Sequence, residues 1–283
     1  MGITIVQKSD LTKKHYREKK ALILAGGAVT GGSFKAGGIK ALNDYFEDFS
    51  INDFDIFVGI SSGSMIAAAL MAGISPESVL KSLDGSSKHF SELSTWHYYR
   101  PNFSELFGKP LKFLIQLAAW VPGRFASLAR HYPDWSKGIF RLVWNFLTNP
   151  SPVTYEEMMK PIVKAAGSGD LPSLLALLPS GIFDNRSIEE YIRANIKKNK
   201  LTNDFVRAKK MTGKSLYISA MRLDGARRVI FGHDEDSSLA ISEAVQASTA
   251  LPGFYRPAHI NGIDYVDGGV QDTANIDVAV AKG

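Results

Sequence analysis

The chain has 283 residues, no cysteine and a formal net charge of +5, with 45% hydrophobic and 22% charged residues. Those proportions describe an ordinary globular protein with enough apolar material for one large α/β domain, or for a domain carrying an inserted cap. The lack of cysteine excludes disulfides and thiolate metal sites.

Residues 1–20, MGITIVQKSDLTKKHYREKK, read as a solvated lead-in. They hold no apolar h-region of the Sec signal-peptide kind, and Val6 breaks the myristoylation pattern. Ala21-Leu22-Ile23-Leu24 is the first buried-strand run, and it feeds a glycine-rich stretch, Ala25-Gly26-Gly27-Ala28-Val29-Thr30-Gly31-Gly32. A strand-to-helix loop of this kind exposes backbone N–H groups that hold an anion, either a phosphate or the oxyanion of an acyl intermediate. The glycine spacing gives neither a G-K-[ST] ending nor G-x-G-x-x-G, so a nucleotide site is a poor fit. Ser33 suits the N-cap of the helix that follows, with Phe34, Ile39, Leu42 and Phe46 on its apolar positions.

Ile56-Phe57-Val58 is a second strand run, and it meets Gly59-Ile60-Ser61-Ser62-Gly63 before an alanine-rich segment, MIAAALMAG. That order fits the G-x-S-x-G elbow, in which a strand turns sharply into a helix with one serine at the apex. Gly59 and Gly63 leave room where neighbouring backbone passes close, and the helix aims its N-terminal N–H groups at the serine. The stretch from Ile56 to Pro76 carries no charge, yet the elbow inside it argues for a buried strand and helix rather than a membrane span.

The α/β rhythm breaks over about 85–180, which is rich in aromatic and basic residues: Lys112, Arg124 and Arg130 accompany Phe113, Leu114, Leu117, Trp120, Phe125 and Leu128. This reads as a helical cap or insert whose apolar face mostly packs on its own core, with a minority of residues facing lipid or an acyl chain. Basic residues crowd 193–214, from Arg193 to Lys214, and read as a solvated face with some attraction for anionic lipid. No nucleic-acid motif accompanies them. Leu216–Leu223 and Arg227–Phe231 read as strands joined through Asp224-Gly225. An amphipathic helix within SEAVQASTALPGF then leads to a hairpin turned at Asn261-Gly262, and Asp267 ends its second strand in Asp267-Gly268-Gly269. Asp264, Asp272 and Asp277 lie nearby without EF-hand spacing, so no metal site is expected. The chain stops abruptly in NIDVAVAKG, as a piece of a longer protein would.

Each glycine motif alone reads equally as a turn, but the three in this order, AGGAVTGGSFKAGGIKAL, GISSG and DGG, resemble the patatin-like phospholipases. GIFDNRSIEEYI at 181–192 and AVQASTALPGFYRPAHINGIDYVDGG at 244–269 agree with that resemblance, which spans 21–280. It implies an α/β protein: a three-layer α/β/α patatin-like fold with a central, mainly parallel sheet and a helical cap, occupying 21–283 after the lead-in. It further implies a serine hydrolase of the phospholipase A or lysophospholipase type, acting on phospholipid or another acyl-ester lipid without cofactor. Ser61 is then the nucleophile and Asp267 its dyad partner, with Gly26, Gly27, Gly31 and Gly32 as the oxyanion loop and Gly59, Gly63, Gly268 and Gly269 as motif glycines. A peripheral membrane surface and, for some members, a protein activator are the implied partners. The location expected is cytoplasmic or at the membrane periphery, with secretion by a route lacking a Sec signal also compatible.

One departure stands out. The family loop carries Arg or Lys between its glycines where this chain has Val29 and Thr30, and Lys35 follows at a different spacing. A bare aspartate, with an ordinary pKa of about 3.9, is a weak base unless burial raises it. Six histidines are present, and His233 and His259 are the ones close enough to Asp267 in sequence to complete a triad instead. The altered loop also keeps open a silent lipid- or partner-binding member, and an acyltransferase of the same fold is the remaining alternative.

Overall fold

The computed structural model describes residues 19–88, 90–113, 115–116, 135–166 and 177–283. The lead-in up to residue 18, three of the six histidines (His15, His89 and His131) and, from the aromatic stretch, Leu114, Leu117, Trp120, Arg124, Phe125, Leu128 and Arg130 lie outside the described residues. Contacts divide the chain into two compact units, one formed by the residues up to Arg100 together with Phe183–Gly283, the other by Pro101–Ile182.

The first unit is built on a mixed sheet of β1 (Ala21–Leu24), β2 (Ile56–Ile60), β4 (Ser215–Arg222), β5 (Arg227–Gly232), β7 (Ala258–Ile260) and β8 (Ile263–Asp267), and it also holds the short strand β6 (Gly253–Tyr255); the short strand β3 (Gly181–Phe183) falls where the chain passes from one unit to the other. Pairing is parallel through its core, β1 with β2 and β2 with β4, and antiparallel where β5 and β8 join β4 and β7 joins β8. All five residues of β2 are buried, which is why its sequence is a continuous apolar run rather than an alternation. The alternation reappears in what each side chain touches. Phe57, Leu216, Ile218 and Ala220 join the large core with α1 (Ala28–Tyr45), α2 (Ser62–Met71) and the helices Arg186–Lys198 and Ile241–Thr249. Ile56, Val58 and Tyr217 point the other way, onto Val278 and Ala279 of the helix Ile276–Ala281. Helices therefore cover both faces, the three layers of an α/β/α fold.

The register around β4 decides the geometry of the site. β5 occupies one edge of β4 over Tyr217–Arg222, so the strands on the other edge must share it. β2 runs along that edge to the pair Ile60↔Ser219, and β8 arrives from the opposite direction to the pair Asp267↔Ala220. The two strands meet end to end on successive residues of β4. Ser61, one residue beyond β2, and Asp267, the last of β8, are thereby brought head to head.

Two helices depart from the sequence reading. Ser33 does not cap α1: the helix begins five residues earlier, at Ala28, after Gly27 turns the chain with φ 137°. Ser33 lies within it, its hydroxyl donating to the Val29 carbonyl at 3.2 Å. The helix Ile241–Thr249 is not amphipathic, since eight of its nine residues are buried against the sheet and neighbouring helices. The hairpins agree with the sequence: Asn261 and Gly262 both have positive φ, 51° and 80°, as a type I′ turn between β7 and β8 requires.

The second unit is helical over 103–113, Trp135–Thr148 and Pro152–Ala166. Its small core joins Met158 and Met159 to Leu142, Val143, Phe146 and Tyr155, and Phe113 is buried against the Tyr155 ring. Phe140, Trp144 and Leu147, at i, i+4 and i+7 of one helix, stay more than half exposed, as do Phe103, Phe107 and Leu111. Among the described residues no helix is long and apolar enough to cross a membrane.

Candidate active site

Ser61 sits at the turn from β2 into α2 with φ 51° and ψ −130°, a conformation that costs a non-glycine residue of order 1–3 kcal/mol and persists only where surrounding structure enforces it. The enforcement is visible. The Ser61 N–H donates to the buried Ser248 hydroxyl at 2.9 Å, and its carbonyl accepts from the Ser64 N–H at 2.9 Å and the Ser64 hydroxyl at 2.6 Å. The flanking glycines are steric necessities. A Cβ on Gly63 would fall 2.1 Å from the Leu24 carbonyl oxygen, and one on Gly59 would fall 2.5 Å from the Ser64 Cα. β1 and the elbow are thus in backbone contact, which is what brings the glycine stretch over Ser61.

Asp267 is 3% exposed. Its backbone N–H donates to the Ala250 carbonyl at 2.9 Å, and its carboxylate accepts the Gly269 N–H at 2.8 Å. Burial raises its pKa above the ordinary carboxylate value, partly offset by hydrogen bonds from the Ser61 hydroxyl and the Gly269 N–H. Gly268 is tight against β4, where a Cβ would lie 2.7 Å from the Ser219 carbonyl oxygen. A hydroxyl on a strained turn is therefore set against a carboxylate that burial makes more basic than free aspartate. This is the pairing that proton abstraction from the hydroxyl requires.

The glycine stretch is only partly a loop. Gly26 and Gly27 lie in it, whereas Gly31 and Gly32 belong to the body of α1, a correction to the loop drawn from sequence. Once Gly27 caps the helix, the Gly31 N–H is consumed by the Gly27 carbonyl at 2.7 Å and is no longer free for an anion. The groups left without a helical acceptor are those of the first turn, at Ala28, Val29 and Thr30. These residues, with Gly26 and Gly27, line a cavity of about 710 Å³ that also takes in Ser61, Ser62 and Asp267. The N-terminus of α2 opens on the same cavity, so two helix ends converge where negative charge would develop on a carbonyl attacked by Ser61.

Lys35 supplies what the sequence only hinted at. Helical side chains lean toward the N-terminus, and from two turns into α1 its ammonium reaches back to the Gly26 carbonyl at 2.8 Å and the Ser62 hydroxyl at 3.1 Å. It ties loop to elbow, and burial lowers its pKa. Ser248 is a further support, and one that the motifs alone did not single out. Asn185 is a third: it is fully buried, and its amide donates to the Gln246 carbonyl at 2.7 Å and the Thr249 hydroxyl at 3.1 Å, joining the segment around GIFDNRS to the helix that carries Ser248.

The remaining cavity wall is apolar, with Met65, Tyr98, Tyr99, Ile188, Leu251 and Phe254. Neither histidine considered as a third member lines it. His259 is exposed on β7 and pairs with Asp264 at 2.8 Å, and His233 lies beside Asp234 and the Tyr217 ring. Asp272 and Asp277 are also engaged elsewhere, with Arg228. Most of the basic stretch at 193–214 is solvated, Arg193, Lys197 and Lys198 being exposed.

The model of the patatin-like phospholipase family matches residues 22–280. The probable lipid hydrolase 463L of Invertebrate iridescent virus 6 is 21% identical over 272 residues, covering 95% of this chain and 65% of its own. The uncharacterized protein YjjU of Escherichia coli (strain K12) is 36% identical over 73 residues, 25% of this chain and 20% of that one. Among solved structures, VipD from Legionella pneumophila matches 90% of this chain and 47% of its own, at 18% identity and a TM-score of 0.42. The chain spans less than two thirds of the length of each of these three proteins. With the family model covering the sheet, the elbow and the Asp-Gly-Gly turn alike, the chain belongs to the patatin-like phospholipase family.

Proposed function

We propose that the protein is a lipid acyl hydrolase in which Ser61 and Asp267 form a catalytic dyad. The observation that carries this reading is the end-to-end meeting of β2 and β8 on β4, which sets the Ser61 turn against a buried carboxylate whose pKa is raised by burial. In the reaction, Ser61 Oγ attacks the acyl ester carbonyl while Asp267 takes its proton. The oxyanion is held by N–H groups of the Gly26–Thr30 turn and the start of α2. The alcohol leaves with the proton returned by Asp267, and a water activated by the same carboxylate hydrolyses the acyl-enzyme.

The walls support a reading of the substrate class. A mainly apolar cavity of about 710 Å³ suits an acyl chain, and membership of the family supports a phospholipid or lysophospholipid ester. Tyr99, Leu251 and Val270 line the cavity and are themselves 40%, 43% and 55% exposed. An apolar rim of this kind suits transfer of a lipid from a membrane surface, and the protein acts there peripherally. The test is fatty-acid release from mixed phospholipid vesicles by the wild type, Ser61→Ala, Asp267→Asn and His259→Ala. Release lost in the first two variants and kept in His259→Ala supports the dyad. Equal loss in a folded His259→Ala would replace it with a triad, and added acyl acceptors that capture the chain would turn the hydrolase into a transferase.

A further inference from the structure

Beside the site lies a second, partly open void, and we propose that it is the subsite for the distal part of the substrate's acyl chain, entered past Met65. The proposal rests on the lipid hydrolase reading and extends it to chain-length selection. The void measures about 60 Å³, and four of its lining residues, Val29, Ser62, Met65 and Tyr98, also line the large cavity at Ser61. A third void of about 40 Å³ shares Met65, Ala69, Phe90 and Ile192 with the second. Met65 is common to all three. The voids therefore follow one another along the face of α2 defined by Ser62, Met65, Ala69 and Ala72, a run of roughly 15 Å at the helical rise.

The chemistry of the second void favours hydrocarbon over water. Several of its polar neighbours hydrogen-bond within the protein. The Ser62 hydroxyl accepts from Lys35 at 3.1 Å, Ser82 donates to the Val79 carbonyl at 2.6 Å, Ser33 to the Val29 carbonyl at 3.2 Å and the Tyr191 hydroxyl to the Ser91 carbonyl at 2.9 Å. The void's mainly apolar lining therefore gains more from contact with hydrocarbon than with water. Among the residues shared by the large cavity and the void is Met65, the most adaptable apolar side chain, with three rotatable bonds to swing aside. Small residues line the path beyond it: Gly32 and Ala36 from α1, Ala69 from α2.

The test measures chain-length preference by two independent readouts. Ala69→Leu fills the second and third voids from a residue that does not line the large cavity, and Met65→Ala shortens the side chain common to all three. With p-nitrophenyl esters, Ala69→Leu should lower the palmitoyl-to-butyryl rate ratio about tenfold, the scale on which a pocket discriminates methylenes. Met65→Ala should keep that ratio or raise it. In a Ser61→Ala background, displacement of cis-parinaric acid should show palmitate weakened by Ala69→Leu far more than octanoate. A rate ratio unchanged in a folded Ala69→Leu protein would overturn the subsite. If the wild type cleaves no ester of any length, the hydrolase reading fails and the displacement experiment alone decides: equal effects on palmitate and octanoate then overturn the subsite, and a selective loss of palmitate sustains it.

Discussion

Two clusters of charged side chains in the first unit follow opposite electrostatic logic. At the end of the chain, Arg228 binds Asp277 and Asp272 as well as the Asn275 amide, and Lys282 binds Asp234 and Glu235 while lying over the Tyr217 ring. There hydrogen bonding is the leading influence: Asp277 raises Arg228, Arg228 lowers Asp277, and Glu235 raises Lys282, each toward its charged form. At the site, burial leads instead, pushing Asp267 up and Lys35 down, both toward neutrality. Lys35 answers to two neutral oxygens and Asp267 to one hydroxyl and one N–H. Charges that hold an element together are paired, whereas charges kept ready to move a proton or steady a loop are desolvated and left under-compensated.

The largest test of that contrast is removal of the site's own groups. Ser61→Ala and Asp267→Asn should each cut fatty-acid release by about 10³-fold or more. Their stabilities should diverge from their activities. Because the folded pKa of Asp267 is raised, the folded chain holds that proton more tightly than the unfolded one. The contribution to stability is full below the unfolded pKa and is lost as pH rises through the folded value. At neutral pH the ionised carboxylate therefore opposes folding, and Asp267→Asn should melt at or above the wild-type temperature. A lower melting temperature would put Asp267 among the holding charges and break the comparison.

Lys35 comes next. Lys35→Met should reduce kcat by about 10²-fold, comparable to losing one oxyanion donor, with KM nearly constant and partial recovery in Lys35→Arg. A KM effect alone would mean that the ammonium steadies substrate rather than the loop. The raised Asp267 pKa also sets a pH expectation: the base must be ionised, so kcat/KM on a soluble ester should fall on the acid side at a pH above the ordinary carboxylate range. An acid limb near pH 4 would show that burial is not tuning this group.

How much of this could be read from the sequence depends on whether the signal was local. The elbow, β1, β2 and the Asn261-Gly262 hairpin were legible because each rests on a few adjacent residues with special backbone needs. The glycine stretch differs from its sequence pattern because Ser33 is the better cap by residue type, yet Gly27, at a φ of 137° that side-chain-bearing residues rarely adopt, starts the helix first. That shift carried Gly31 and Gly32 out of the loop and made Lys35, the charge at an unusual spacing, the link to Gly26 and Ser62. The helix Ile241–Thr249 looked amphipathic because its Ser, Gln and Thr residues are polar, yet they are buried and several bond within the core, as Ser248 does to Ser61. The meeting of Ser61 with Asp267 was implied by the family motifs but not its cause, since two strands sharing one edge of β4 is a non-local fact.

The smallest expected effects lie in the paired cluster, and they test the other half of the comparison. Lys282→Ala removes a cation bound to two partly exposed carboxylates, so it should cost about 1 kcal/mol or less. Arg228→Ala should cost more, about 1–3 kcal/mol, because it strands a buried group as well as two carboxylates. Asn275 is fully buried, and its amide oxygen accepts from Arg228 at 2.9 Å while the residue holds a left-handed conformation ahead of the last helix. Both variants should hydrolyse lipid at the wild-type rate at temperatures where they are folded, since neither residue lines the cavity. Thermal melts paired with fatty-acid release measure this directly. If Arg228→Ala lost activity before it lost structure, the chain-end cluster would be coupled to Asp267 through the turn at Gly268–Val270, and the division between holding and reacting charges would have to be redrawn around that turn.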